Sequence, residues 1–201
     1  THSPGRSDRQ RPKQSDPFAV SLLSHPTSAR NIALVGHLSC GKTTLVDFLV
    51  EQTHALDVPG NLTKKPRYTD LRPDEQSRAM SIKSCPISVV LPDSKGKSYL
   101  LNIVDCPGHP NFFAETTAAL RVCDGVVLVL DACEGIMMNT QRIIREAARS
   151  EVTICLVISK FDRLITDLHL PPNDAYCKLR YMIGRVNEIL AEAYDGHPTL
   201  P

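Results

Sequence analysis

Gly36-His37-Leu38-Ser39-Cys40-Gly41-Lys42-Thr43 reads GHLSCGKT and fits the phosphate-loop pattern G-x-x-x-x-G-K-[ST] without a gap. The apolar run Asn31 to Gly36 enters it as a buried strand, and Thr44 to Gln52 leaves it as a helix. A loop so placed aims successive backbone N–H groups and a helix N-terminus at one point, which suits a polyphosphate. Lys42 is placed to reach the β- and γ-phosphates and the Thr43 hydroxyl to ligate Mg²⁺. His37, Leu38, Ser39, Cys40, Gly41, Lys42, Thr43 and Thr44 are therefore expected to bind a nucleoside triphosphate.

Working outward, the polar stretch His54 to Arg78 is too long for an ordinary connection, and long loops beside a phosphate site are usually functional. It runs into Asp74-Glu75-Gln76-Ser77-Arg78-Ala79-Met80-Ser81-Ile82, where the Ser81 hydroxyl is a candidate Mg²⁺ ligand. His54 to Ile82 would then be a switch segment, ordered by the triphosphate and released by the diphosphate. Two strands follow around the turn Asp93-Ser94-Lys95-Gly96, forming a hairpin. The second ends in Asp105-Cys106-Pro107-Gly108-His109. A carboxylate at the end of a buried strand is where Mg²⁺ is held, and Gly108 lets a backbone N–H approach a γ-phosphate because no Cβ intervenes. Alone D-x-x-G marks only a turn; one helix and one hairpin after a phosphate loop it is specific.

Phe112 to Val122 reads as helix, and Gly125 to Asp131 as a strand buried on both faces by its unbroken apolar run. Thr140 to Arg149 reads as helix with Asn139 as N-cap, and Val152 to Lys160 as another buried strand. Pro171-Pro172 opens a last helix whose apolar positions are Ala175, Leu179, Ile183, Val186 and Leu190. Strand and helix alternating after the hairpin predict an α/β fold with a mostly parallel sheet covered on both faces. At the end of the fifth strand, Ser159-Lys160-Phe161-Asp162 carries a carboxylate able to accept two hydrogen bonds from guanine N1 and N2, which adenine cannot supply. Lys160 would lay its stem over the base. Ser159, Lys160, Asp162 and the adjoining Arg163 are the expected contacts on that side.

The 201 residues are 42% apolar with a net charge of +1, which suits one globular domain plus tails and gives no bulk electrostatic case for nucleic acid or membrane. No apolar run approaches a bilayer span. Seven scattered cysteines without C-x-x-C spacing predict buried, reduced thiols in a cytosolic or nuclear protein. Residues 1–15 are polar and basic and are expected to be a disordered tail; 16–30 are expected to be an arm with a short helix around Phe18, Leu22 and Leu23. The domain proper is expected over 31–201.

GHLSCGKT, SRAMSIKS, DCPGH and SKFD together resemble the four successive signatures of the translational-type GTPases, in the elongation factor 2 and elongation factor G group. Within that group VVLPDSKGKSYLLNIVDCPGHPNF, DGVVLVLDACEGIMMNT and DRLITDLHLPPNDAYCKLR are most similar to the elongation factor 2-like subfamily of the spliceosomal U5 small nuclear ribonucleoprotein. The resemblance runs from about Phe18 to Leu190. It implies a P-loop, Ras-like GTPase (G) domain with a doubly wound sheet and one antiparallel edge hairpin. GTP or GDP and Mg²⁺ would be the ligands, with Thr43, Ser81 and Asp105 as the metal set. It puts His109 where these enzymes hold the histidine that orients the attacking water. It further implies a nuclear protein acting in pre-mRNA splicing, with the large U5 scaffold protein and other spliceosomal proteins as partners. Contact with small nuclear RNA would come through the particle, and neither membrane nor DNA is implied.

The departures are informative. Ser159 replaces the usual Asn and has a single hydroxyl hydrogen, so its bridge to the phosphate loop should be weaker. Ser81 replaces Thr, Ser39 an Asp, and Pro110 a Val, which should stiffen the segment after His109. The chain ends at Pro201, ahead of the last strand that the resemblance implies, so a fragment with one edge strand missing is expected. Three functions follow in order of preference: a slowly hydrolysing GTP switch, a GTP-loaded module that rarely hydrolyses, and a ribosomal translocation factor.

Overall fold

The computed structural model describes residues 21–22, 25, 27–53 and 67–195. The expected tail over 1–15, the arm around Phe18 and Leu23, and the start of the polar stretch over 54–66 lie outside the described residues. Strand β1 (Ala29–Gly36) leads through the phosphate loop into α1 (Lys42–Thr53). A short helix α2 (Pro73–Arg78) precedes the hairpin of β2 (Cys85–Pro92) and β3 (Ser98–Asp105). A 3₁₀ turn over Pro110–Phe112 opens α3 (Phe113–Leu120). Then come β4 (Gly125–Asp131), α4 (Met138–Arg149), β5 (Thr153–Ser159), the single turn α5 (Arg163–Thr166) and the long α6 (Pro172–Asp195).

Among the described residues the strands form one sheet in the order β2-β3-β1-β4-β5. Only β2 runs antiparallel, pairing Val89 with Leu101; β3, β1, β4 and β5 are parallel, with Ile32 opposite Ile103 and Leu34 opposite Val127. The apolar runs of β1 and β4 explain their central places, because alternate side chains must be buried on opposite faces. Ala33, Val35, Val126, Leu128 and Leu130 meet Leu120 of α3, Ile143 and Ile144 of α4, and Met182 and Ile189 of α6. Leu34, Val89, Ile103 and Val129 meet Val46 and Val50 of α1 on the other side. Each fully buried Leu or Ile contributes about 1.5–3 kcal/mol, so these two layers hold the strand ends in register.

The register has a direct consequence for function. Gly36, Asp105, Asp131 and Ser159 are the last residues of the four parallel strands, and open α/β sheets bind ligands outside that edge.

Several sequence expectations are corrected. The polar stretch is not loop throughout: Pro73 at the first helical turn and Glu75 in a capping position nucleate α2. Asn139 does not cap α4. Extended Met137 holds that position, and Asn139, inside the first turn, gives its amide hydrogen to Gly108 O (3.0 Å). Strand β5 is an edge of the described sheet, with Thr153 and Cys155 exposed, rather than buried on both faces. On α6 the core face runs through Ala175, Met182, Val186 and Ile189, whereas Ile183 is exposed. All seven cysteines are free, but Cys155 and Cys177 are exposed rather than buried.

Candidate functional site: a phosphate cradle with an open base end

Glycine makes the loop possible. A Cβ on Gly36 would lie 2.3 Å from Val129 O and 2.8 Å from Cys40 Sγ, so the turn out of β1 tolerates no side chain. Lys42 opens α1 yet points back: its Nζ donates to His37 O (2.7 Å) and Gly36 O (3.2 Å). Only 5% exposed, this cation is fixed inside the loop by carbonyls. A Cβ on Gly108 would sit 2.6 Å from both His37 O and Lys42 Nζ. The chain after β3 therefore closes directly on the phosphate loop.

Beside Lys42 five oxygen-bearing side chains form a chain of bonds. Thr43 Oγ1 donates to Asp105 Oδ2 (2.8 Å), and Thr69 Oγ1 donates to the same oxygen (2.9 Å). Ser81 Oγ donates to Asp70 Oδ1 (2.9 Å) and lies 3.3 Å from Thr43 Oγ1. A hydroxyl has one hydrogen, and both are turned toward carboxylates, so Thr43 and Ser81 face each other with lone pairs. Asp105 Oδ1 is buried with no hydrogen-bond partner among the described residues. Two facing hydroxyl oxygens and an unpartnered carboxylate oxygen are hard donors of the kind Mg²⁺ selects, and Thr43, Ser81 and Asp105 fit that ion. Among the described residues no cluster of three His, Cys, Asp or Glu forms, so most of such an ion's shell would have to come from phosphate and water. Burial pushes the Asp105 carboxyl above its usual range, the Asp70 charge adds to this, and the Thr43 and Thr69 hydroxyls and Lys42 oppose it.

Ser81 is held from its flanks as well. Glu75, 2% exposed, accepts the N–H groups of Ile82 (2.9 Å) and Lys83 (3.0 Å) on Oε1 and that of Arg72 (3.1 Å) on Oε2. The whole enclosure is a cavity of about 220 Å³ lined by Ser39, Lys42, Thr43, Arg67, Gly108 and Lys160 together with residues 79–81.

The expected base end is built differently. Ser159 Oγ lies 2.6 Å from Cys40 O and 3.0 Å from Leu130 O; the shorter contact takes its single hydrogen and ties β5 to the phosphate loop. Lys160 adopts a left-handed backbone (φ 54°) and pairs with Asp131 Oδ2 at 2.6 Å. Burial pushes the Asp131 carboxyl up, but Lys160 and the N–H groups of Cys133 and Glu134 outweigh it and hold the group below its usual range. Asp162 is exposed at the N-cap of α5 with no side-chain cap bond. Arg163 Nε pairs at the surface with Asp167 (3.0 Å). Of the four expected base-side residues only Lys160 lines the cavity.

His109 is the N-cap of the 3₁₀ turn. Its Nδ1 accepts the Asn111 N–H (3.2 Å), leaving Nε2 to carry the hydrogen of the neutral ring, and the ring leans on Phe112 at 5.7 Å. Pro110 occupies the first position of that turn, where its fixed φ suits the geometry. His37 Nδ1 is buried without a partner among the described residues. Sequence reading missed Arg67, Thr69, Asp70, Glu75 and Asp131. Asp131 was findable, since it ends β4 as Asp105 ends β3. Glu75 follows Pro73 in a helix-start pattern. Arg67, Thr69 and Asp70 sit in aperiodic polar chain that carries no signal.

A phosphate loop, hydroxyl and carboxylate metal donors and a parallel sheet ending at both define a P-loop nucleoside-triphosphate-binding domain. The chain belongs to the family described as Elongation factor Tu GTP binding domain, whose model matches residues 27–197. It is a G domain of the translation-factor type. It is 52% identical over 92% of its length to the 110 kDa U5 small nuclear ribonucleoprotein component CLO of Arabidopsis thaliana. It is 44% identical over 87% of its length to the pre-mRNA-splicing factor cwf10 of Schizosaccharomyces pombe. These alignments take in 19% and 18% of the two relatives, so the chain spans about a fifth of their length. A crystal structure from Thermus thermophilus superposes with a TM-score of 0.59 over 69% of this chain and 22% of the other, at 26% identity.

Proposed function

We propose that this chain is the GTP-binding switch domain of an elongation factor 2-like GTPase of the spliceosomal U5 particle, acting in the nucleus in pre-mRNA splicing. The 52% identity to a U5 component supports the setting, and the facing oxygens of Thr43 and Ser81 beside Asp105 support the switch. The domain takes GTP or GDP. His37, Leu38, Ser39, Cys40, Gly41, Lys42, Thr43, Thr44 and the Gly108 N–H hold the phosphates; Ser159, Lys160, Asp162 and Arg163 form the base end. Thr43, Ser81 and Asp105 would hold Mg²⁺, which would supply positive charge to the phosphate oxygens. Lys42 leaves the loop carbonyls for the phosphates, and Asp162 selects guanine through its N1 and N2 hydrogens. When the distal phosphate departs, Ser81 has no partner beyond Asp70, and the segment held by Glu75 is freed to move.

Hydrolysis is in-line attack by a water that His109 orients, with charge stabilised by Lys42 and backbone N–H groups. Turnover is slow because His109 is tied to Asn111 N–H through Nδ1 and braced by Phe112. Its partners are the large U5 scaffold protein and other splicing proteins, with small nuclear RNA met through the particle. Single-turnover hydrolysis by the chain and by His109→Ala tests the enzymatic part. A fall of about 10-fold or more agrees with general positioning catalysis, and equal rates contradict it. A GTP-loaded structural module is favoured by the serines at 39 and 159; nucleotide extracted after purification would then be almost all GTP and stay so on standing.

A further inference from the structure

The cavity carries a cation that the nucleotide-binding pattern does not use. Arg67 lines it together with Lys42, Thr43, Ser81, Gly108 and Lys160, and among the described residues no carboxylate lines it. Its place is fixed twice. Tyr68 N–H donates to Asp47 Oδ1 of α1 (2.9 Å), pinning the backbone next to Arg67 to the helix that Lys42 opens. Arg67 Nε pairs with Asp70 Oδ2 (2.8 Å), and Asp70 is wholly buried. A guanidinium is a rigid planar group with five N–H donors, so an ion pair to Asp70 through Nε leaves the two terminal nitrogens to serve an anion. The same Asp70 accepts the Ser81 hydroxyl on its other oxygen. One carboxylate thus orients both the arginine and the switch serine toward the same space.

From this we infer that Arg67 is a phosphate-binding residue supplied by the chain itself, contacting the distal phosphate of a bound nucleoside triphosphate and positioned by Asp70. The inference rests on the nucleotide reading above and deepens it. Lys160 is already neutralised by Asp131, and Lys42 serves the loop, so Arg67 is the cation whose partner also holds the triphosphate-sensing serine. Its contribution is charge and orientation at the distal phosphate, which a diphosphate lacks.

The test is binding, by titration of the full chain with GTPγS and with GDP in Mg²⁺. Arg67→Ala should weaken GTPγS by about 10-fold or more and GDP by less than about threefold. Arg67→Lys should not restore the GTPγS affinity, because an ammonium cannot hold Asp70 along one edge and phosphate along the other. Arg72→Ala, which removes an exposed arginine paired with Asp74, should change neither and controls for net charge. Equal losses for both nucleotides, or none, would overturn the assignment, as would full rescue by Lys. If Arg67→Ala unfolds, Arg67→Lys with its melting curve decides the matter. Absence of binding to either nucleotide by the unmodified chain instead overturns the nucleotide reading itself, and this inference with it.

Discussion

The two ends of the nucleotide site solve different problems. At the phosphate end the key groups are bonded to one another, Lys42 to loop carbonyls, Thr43 and Thr69 to Asp105, Ser81 and Arg67 to Asp70, and Lys42, Thr43, Thr69, Asp70 and Asp105 are buried. At the proposed base end Asp162 and Arg163 are exposed, whereas Ser159 is bonded to Cys40 O and Lys160 to Asp131. The contrast is one of preorganisation. A buried network fixes donor positions before the ligand arrives, whereas an exposed carboxylate gains its strength only when the base excludes water. Affinity should therefore be concentrated at the phosphates, and selectivity at the base.

The largest effect expected is at Lys42. Lys42→Ala should reduce GTP and GDP affinity together by about 100-fold, since charge-assisted contacts of about 1.5–3 kcal/mol each are lost. Calorimetry that finds less than a threefold change would move the phosphates elsewhere. Asp162→Ala should cost less total affinity but erase most of the preference for GTP over ATP; competition binding reads the ratio directly. If the preference survives, the base end is not where guanine is read.

Glu75→Ala probes how the phosphate end is held. It leaves the Ile82, Lys83 and Arg72 N–H groups without their partner, at about 1–3 kcal/mol for each that stays buried. Melting temperature should fall, and the GTP-over-GDP affinity ratio should fall with it because Ser81 is no longer held. Glu75→Gln keeps an oxygen for Ile82 and Lys83 and should recover part of both.

Acidity separates the two ends more gently. The Asp131 carboxyl is held below its usual range in the folded chain, so its contribution is present above the ordinary carboxylate pKa and is lost as pH falls through the lowered folded value. Asp131→Asn should flatten the acid limb of the stability curve, read by denaturant melts at stepped pH. An unchanged acid limb would show that the Lys160 pair carries no net stability.

The placing of the phosphate loop, the Asp105–His109 turn and the Ser159–Asp162 segment at strand ends was legible because each joins a fixed residue spacing to an apolar run; that Lys160 alone of the base-side residues lines the cavity was not. Gly36 and Gly108 were legible for the same reason: close backbone approach excludes a Cβ. What failed was long-range or context-dependent. Asn139 looks like a cap because its type suits one, yet its amide serves Gly108 across 31 positions. Ile183 fits a helical stripe, but the face is set by where α6 meets α4, with Arg145 reaching Glu192, and it turns Met182 inward. Arg67 and Asp70 pair with each other three residues apart, but the Ser81 hydroxyl on Asp70 comes from beyond α2, and no local periodicity announces either residue.

The central claim is that a preorganised phosphate end and a guanine-reading base end belong to one site. Titration of the chain with GTPγS and ATPγS, each with and without Mg²⁺, tests it most directly. The account predicts GTPγS binding at least about 100-fold tighter than ATPγS and markedly strengthened by Mg²⁺. Equal affinity for the two nucleotides, or indifference of GTPγS to Mg²⁺, would contradict it.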